Sequence, residues 1–262
     1  MTSRNKYASS AQRSVGEGDD ARLITQEFRR IEAPWLATVE SLAEQQQALR
    51  HAATVADRES SEALDLALLW RELTRGVCQV IDCFFSVDRC FILTRPAPEP
   101  ATPLTPQCQR LLEAVLIDGA QKVVAIDTGV AASTVASRAQ QALQRLGVDC
   151  KPSRPHPLLV LAATAERSGD GSVTGSLSFV TRVEPGVRVV SAPRPERFLF
   201  KELSSAEFAV IRSFVEGDCY ATIARQRGTS ERTVANQIAS VFRRLNVSGR
   251  AELLSRLFAT RA

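Results

Sequence analysis

The chain has 262 residues, 44% apolar and 24% charged, a balance that supports a buried core and excludes a collagen-like or wholly disordered polymer. Its net charge of +4 is unevenly placed: residues 201–262 hold ten Lys/Arg against six Asp/Glu, residues 104–150 hold four of each, and residues 1–103 hold twelve against fifteen. No run reaches the roughly 18 apolar residues of a membrane span, and Met1-Thr-Ser-Arg-Asn-Lys6 is not followed by the apolar stretch of a signal peptide, so a cytoplasmic protein with no membrane partner is expected.

Residues 1–20 are polar and rich in Ser, Gly and Asp, and read as a disordered tail. From residue 21 to 75 the pattern is helical, interrupted at Pro34, with Leu36, Val39, Leu42 and Leu49 at helical steps and a dense apolar run around Leu64 to Trp70. Gly76 closes this region. Val77–Phe85 and Arg89–Thr94 flank Ser86-Val-Asp88 and predict a β-hairpin, after which Pro96, Pro98, Pro100 and Pro103 mark a joint. Residues 151–200 read as a β-rich connector, with strands over Leu158–Glu166, Val173–Arg182 and Val187–Ser191.

Sliding the chain by 99 positions aligns Gly76 with Gly175, Arg89 with Arg188, Gly129 with Gly228 and Thr134-Val-Ala136 with Thr233-Val-Ala235. The matches fall on turns, core positions and helix ends. They predict a duplicated unit, a β-hairpin followed by a helix-turn-helix, in a chain of α+β class. The units run over residues 76–150 and, by way of the connector, to an all-α C-terminal module over residues 201–262.

In that last module Ser204-Ser-Ala-Glu207 is a capping box, Asp218 is placed to cap the next helix, and Gly228 supplies the positive φ of a tight turn. Ser230 caps the third helix. On it Val234, Ile238, Val241 and Leu245 face the core, while Arg232, Asn236, Ser240 and Arg243 point outward with Thr233, Gln237 and Arg244 on the flanks. Such a face suits a major groove, since Arg and Asn match guanine and adenine edges and hydroxyls and further Arg hold phosphates.

Residues 203–258 resemble the DNA-binding domain of LuxR/GerE-type transcription regulators. The resemblance rests on Leu203-Ser-Ser-Ala-Glu207, Ile223-Ala224, Gly228, Ser230-Glu-Arg-Thr-Val234, Leu245-Asn-Val247 and Ser248-Gly-Arg-Ala-Glu252. It implies a four-helix domain whose third helix reads double-stranded DNA, with Thr233 at a phosphate. It also implies a fourth helix, here around Leu253, Leu254 and Leu257, that mediates a homodimer. Ala235 stands where the family commonly has Lys, and Ala239 where it is often polar.

Residues 104–148 resemble the same family more weakly. There the third helix buries Val135, Ala139, Ala142 and Leu146, and Thr134, Ser137, Arg138 and Gln141 form a second DNA contact or, equally, part of a structural or partner-binding module. No fourth helix is expected after it, because Lys151-Pro-Ser-Arg-Pro-His-Pro157 leads into a predicted strand. Two readings therefore stand, a DNA-binding transcription regulator and a helix-turn-helix adaptor for RNA polymerase or another regulator. An enzyme is not expected. There is no phosphate loop or nucleophile elbow, the six cysteines make no C-x-x-C pair, and His51 and His156 are the only histidines, so neither metal nor cofactor is predicted.

Overall fold

The computed structural model describes residues 41–58, 65–97, 102–118, 121–152, 154–169, 178–181, 186–194 and 203–259. The expected tail over residues 1–20, and the helical stretch with Pro34, Leu36 and Val39, lie outside them. The chain divides into two compact units, Met1–Leu49 and Arg50–Ala262. In the first, residues 41–49 are helical and Leu42 is exposed. The fold below is that of the second.

Helix α1 (residues 50–58) opens this unit, and α2 spans Leu66–Thr74. Asp65 starts α2 by accepting from the Ala67 and Leu68 amides, and Leu66, Leu69, Trp70 and Leu73 form its buried stripe. The buried Trp70 indole donates to Glu113 Oε1 at 2.8 Å. The predicted hairpin follows, as β1 (Cys78–Phe85) and β2 (Arg89–Pro96), with the Arg89 amide donating to Ser86 Oγ across the turn.

Three helices come next, α3 (Pro106–Asp118), α4 (Gln121–Thr128) and α5 (Ala132–Arg145), and then α6 (Pro157–Ser168). The last corrects the predicted strand over Leu158–Glu166 and the β-rich connector. Pro157 sits in the first turn, where its missing N–H costs nothing, and Leu158 to Ala163 are all buried. A continuous apolar run carries no period, so a helix buried all round and a buried strand look alike in sequence. A helix therefore does follow the first three-helix set.

Strands β3 (Ser178–Thr181) and β4 (Arg188–Pro193) complete one antiparallel sheet in the order β1-β2-β4-β3. The two hairpins thus share a sheet instead of forming separate units, with β2 and β4 paired from Arg89↔Pro193 to Thr94↔Arg188. Cys90, Ile92, Val190 and Ala192 point to the core that holds α2 and α6. The opposite face carries Phe91, Leu93 and Val189, and α1 grips that side through Arg50 to Asp82 (2.6 Å) and Asp57 to Arg89 (2.5 Å). Helices α7 (Ser205–Val215), α8 (Tyr220–Arg227), α9 (Glu231–Leu245) and α10 (Arg250–Ala259) form the C-terminal module. The starts of α3, α4 and α5 at 106, 121 and 132 precede those of α7, α8 and α9 at 205, 220 and 231 by 99 residues each.

The end of α5 is pinned to the sheet, because the Val80 amide donates to Leu146 O at 2.8 Å beside a bulge between Val80 and Asp82. Gly147 (φ 80°) makes this approach possible, since a Cβ there would lie 2.1 Å from Val80 O. Gly129 has a similar φ of 65° but open space around it. Gly147→Ala is therefore expected to cost more than about 3 kcal/mol, and Gly129→Ala about 1 kcal/mol, in thermal or urea unfolding. Equal losses would contradict the packing of α5 on β1.

Candidate nucleic-acid interface

Helix α7 opens with the predicted capping box. Ser204 Oγ accepts from the Glu207 amide, and Glu207 Oε2 accepts from the Ser204 amide at 2.9 Å. The Ser204 amide and hydroxyl, both donating to Oε2 and joined by Arg244, hold the Glu207 carboxyl below the usual carboxylate range. Cys219, not Asp218, takes the N-cap position of α8. Gly228 ends α8 at φ 62° with nothing within 4 Å of a built Cβ, so the turn needs glycine for its backbone and not for space. Ser230 then caps α9, accepting from the Thr233 amide at 3.1 Å.

The face of α9 is split as its spacing demands. Val234, Ile238 and Val241 are buried, Leu245 is half-buried, and Arg232, Thr233, Asn236 and Arg243 are exposed while Ser240 is half-exposed. Two predicted groups are not simply presented outward. Arg244 donates to Glu207 Oε2 at 3.0 Å, tying the end of α9 to the start of α7. Gln237 turns partly inward, with a buried Oε1 that has no hydrogen-bond partner. The Thr233 hydroxyl lies 2.9 Å from Ser230 Oγ. Arg225, exposed in the last turn of α8, adds a cation that the outward face of α9 alone did not bring to notice.

Residues 201–257 match the family model GerE, described as bacterial regulatory proteins of the luxR family. The C-terminal module is a luxR-family helix-turn-helix domain. No curated protein and no solved structure matches the chain. The family is one of DNA-binding regulators, which agrees with the surface of α9, and no helix among the described residues is long and apolar enough to cross a membrane.

The fourth helix of the luxR-family domain packs within the chain. Leu253 and Leu254 are fully buried and Leu257 is 9% exposed, with α10 lying against α6 and α3 of the same chain. These are the leucines of the expected dimer contact. Arg250, at the start of α10, stacks 4.1 Å over the Phe214 ring and fixes α10 to α7.

In the earlier three-helix set, Val135, Ala139, Ala142 and Leu146 are buried as predicted, and Ser137, Arg138 and Gln141 are exposed with Thr134 half-exposed. Its third helix begins at Ala131 with no side-chain cap. On α4, Val123 and Ile126 are 50% and 79% exposed, where the luxR-family domain has Thr222 and Arg225 at the same offset.

His156 is buried, its ring tilted at 36° and 5.0 Å from the Phe85 ring, and burial drives its pKa down to about 3. Cys219 is half-buried. Its Sγ lies 3.3 Å from Thr222 Oγ1 and 3.2 Å from Arg154 Nη2, and these two partners lower its pKa to about 7. Half of it is then thiolate near pH 7, and the fraction falls as pH drops below that value. Cys219 is expected to be alkylated by iodoacetamide before Cys83 or Cys90, whose thiols burial pushes up. Arg154→Ala should slow that labelling at pH 7 by about threefold. First modification at Cys83 or Cys90, on mass mapping, would contradict the placement of Arg154 against α8.

Proposed function

We propose that the chain is a cytoplasmic transcription regulator that acts on nucleoid DNA, with α9 as the reading helix of its luxR-family domain. The observation that carries this reading is the exposed polar face of α9, capped by Ser230 and set behind the Gly228 turn. Asn236 lies mid-helix on that face and fits the paired donor and acceptor of an adenine edge. Arg232, Arg243 and Thr233, with Arg225 from α8, surround it with the groups that hold phosphates. Ala235 and Ala239 leave the face narrow, so Asn236 carries most of the base recognition.

A second reading concerns the earlier set. The exposed Val123 and Ile126 on α4 favour a protein partner there, such as RNA polymerase or another regulator. Thr134, Ser137, Arg138 and Gln141 favour a second DNA contact.

The test is binding to duplexes selected from a random pool, compared with unselected duplex over a salt series. Asn236→Ala is expected to cost about 1–3 kcal/mol on selected duplex and little on unselected duplex. Arg243→Ala should weaken both and lower the slope of log K against log salt by about 1. Wild-type protein with no selected sequence and no salt-dependent affinity would transfer the function to the adaptor reading.

A further inference from the structure

We propose that one chain is a complete two-fold DNA-binding unit, its two three-helix sets standing where a homodimer places two subunits, so that a single chain occupies two inverted and unequal half-sites. The inference rests on the DNA-binding reading of α9 and adds the shape of the target.

It begins at the centre of the sheet. Arg188 lies 99 residues after Arg89, and its partner Thr94 lies 99 residues before Pro193, the partner of Arg89. The same shift carries Cys90↔Ala192 onto Leu93↔Val189, and Phe91↔Ser191 onto Ile92↔Val190. The matched strands β2 and β4 thus lie antiparallel side by side at the centre of the sheet, while the shift moves each side chain to the other face, Cys90 onto Val189 and Phe91 onto Val190, so the two-fold relation of the halves is approximate, with a one-residue offset in the ladder. Antiparallel pairing of a strand with its own counterpart is how an isologous interface joins two subunits, here offset by one residue. The two matched arginines are each held by a carboxylate from a helix, Arg89 by Asp57 and Arg188 by Glu72, both at 2.5 Å.

The helices obey the same shift. Residues 99 before α10 (Arg250–Ala259) are 151–160, the segment that enters α6, and α10 lies against α6. Gly217, at the end of α7, sits against this segment, a built Cβ there falling 3.0 Å from Pro155 O. The images of Gly217 and Pro155 are Asp118, which ends α3, and Leu254 of α10, and α10 indeed packs on α3. The apolar face that a fourth helix would offer a second chain is thus filled by the first half of the same chain.

A two-fold protein presents its reading helices in opposite directions and matches inverted half-sites about one helical turn, or a whole number of turns, apart. The halves are unequal because the charged positions are not shared. Arg225, Arg232 and Arg243 correspond to Ile126, Ser133 and Gln144, whereas Gln237 corresponds to Arg138. The first set keeps an exposed polar face on α5 but few cations, so its half-site contributes less affinity.

The experiment selects duplexes from a random-sequence pool with the full chain. It then weighs the complex by sedimentation and maps it by hydroxyl-radical footprinting, for wild type and Arg138→Ala. The expected result is one 28.6 kDa chain per duplex, and two protected patches over inverted motifs of unequal strength about 10 base pairs, or a multiple, apart. Arg138→Ala, on an exposed position, should weaken binding about fivefold and remove only the weaker patch. Two chains per duplex, or one patch indifferent to Arg138→Ala, overturns the inference while leaving α9 as a reader. Absence of any selected sequence overturns both.

Discussion

Antiparallel pairing of β2 with β4 joins the two halves of this chain, and most of the other contacts follow from it. An isolated hairpin is marginal in water, so neither β1-β2 nor β3-β4 provides a stable platform alone. Joined, they form a four-stranded sheet with both faces of β2 and β4 buried, α1 on one side and the α2–α6 core on the other. The Arg89–Asp57 pair and Ser191, which donates to the same carboxylate, lie where that ladder meets α1. Breaking either partner would leave a charge with little water around it, so the pair fixes register more than it adds stability.

From this sheet the helix-turn-helix geometry is built outward. Val80 and Gly147 clamp the end of α5, while Arg194 pairs with Glu216 to hold the end of α7 to the end of β4. The luxR-family domain is consequently not a bead on a tether. Its α10 packs into the rest of the chain, and Cys219 at the N-cap of its α8 is held by Arg154 from the α5–α6 connection. That shared packing makes the position of α9 a property of the whole second unit.

The legible parts of the sequence were those with a period or a specific cap. The hairpin at Ser86-Val-Asp88, the capping box at Ser204 and Glu207, the Gly228 turn and the buried stripe of α9 all stand where their residue pattern puts them. The opposite held at α6, whose unbroken apolar run has no period. The cover that the same chain gives Leu253, Leu254 and Leu257 was likewise hidden, because an apolar stripe is the same in sequence whichever chain covers it. Side-chain commitments across the fold, such as Arg244 to Glu207 and the inward turn of Gln237, depend on neighbours 37 or more residues away or on burial, and no local pattern encodes them.

The central claim is that α9 enters a groove of DNA. Backbone amide chemical-shift mapping of the labelled chain, titrated with a selected duplex, tests it most directly. The account predicts the largest shifts over Glu231–Leu245 and the last turn of α8, with the amides of Arg232, Thr233 and Asn236 foremost. Shifts gathered elsewhere, with α9 unmoved at saturating duplex, would contradict it.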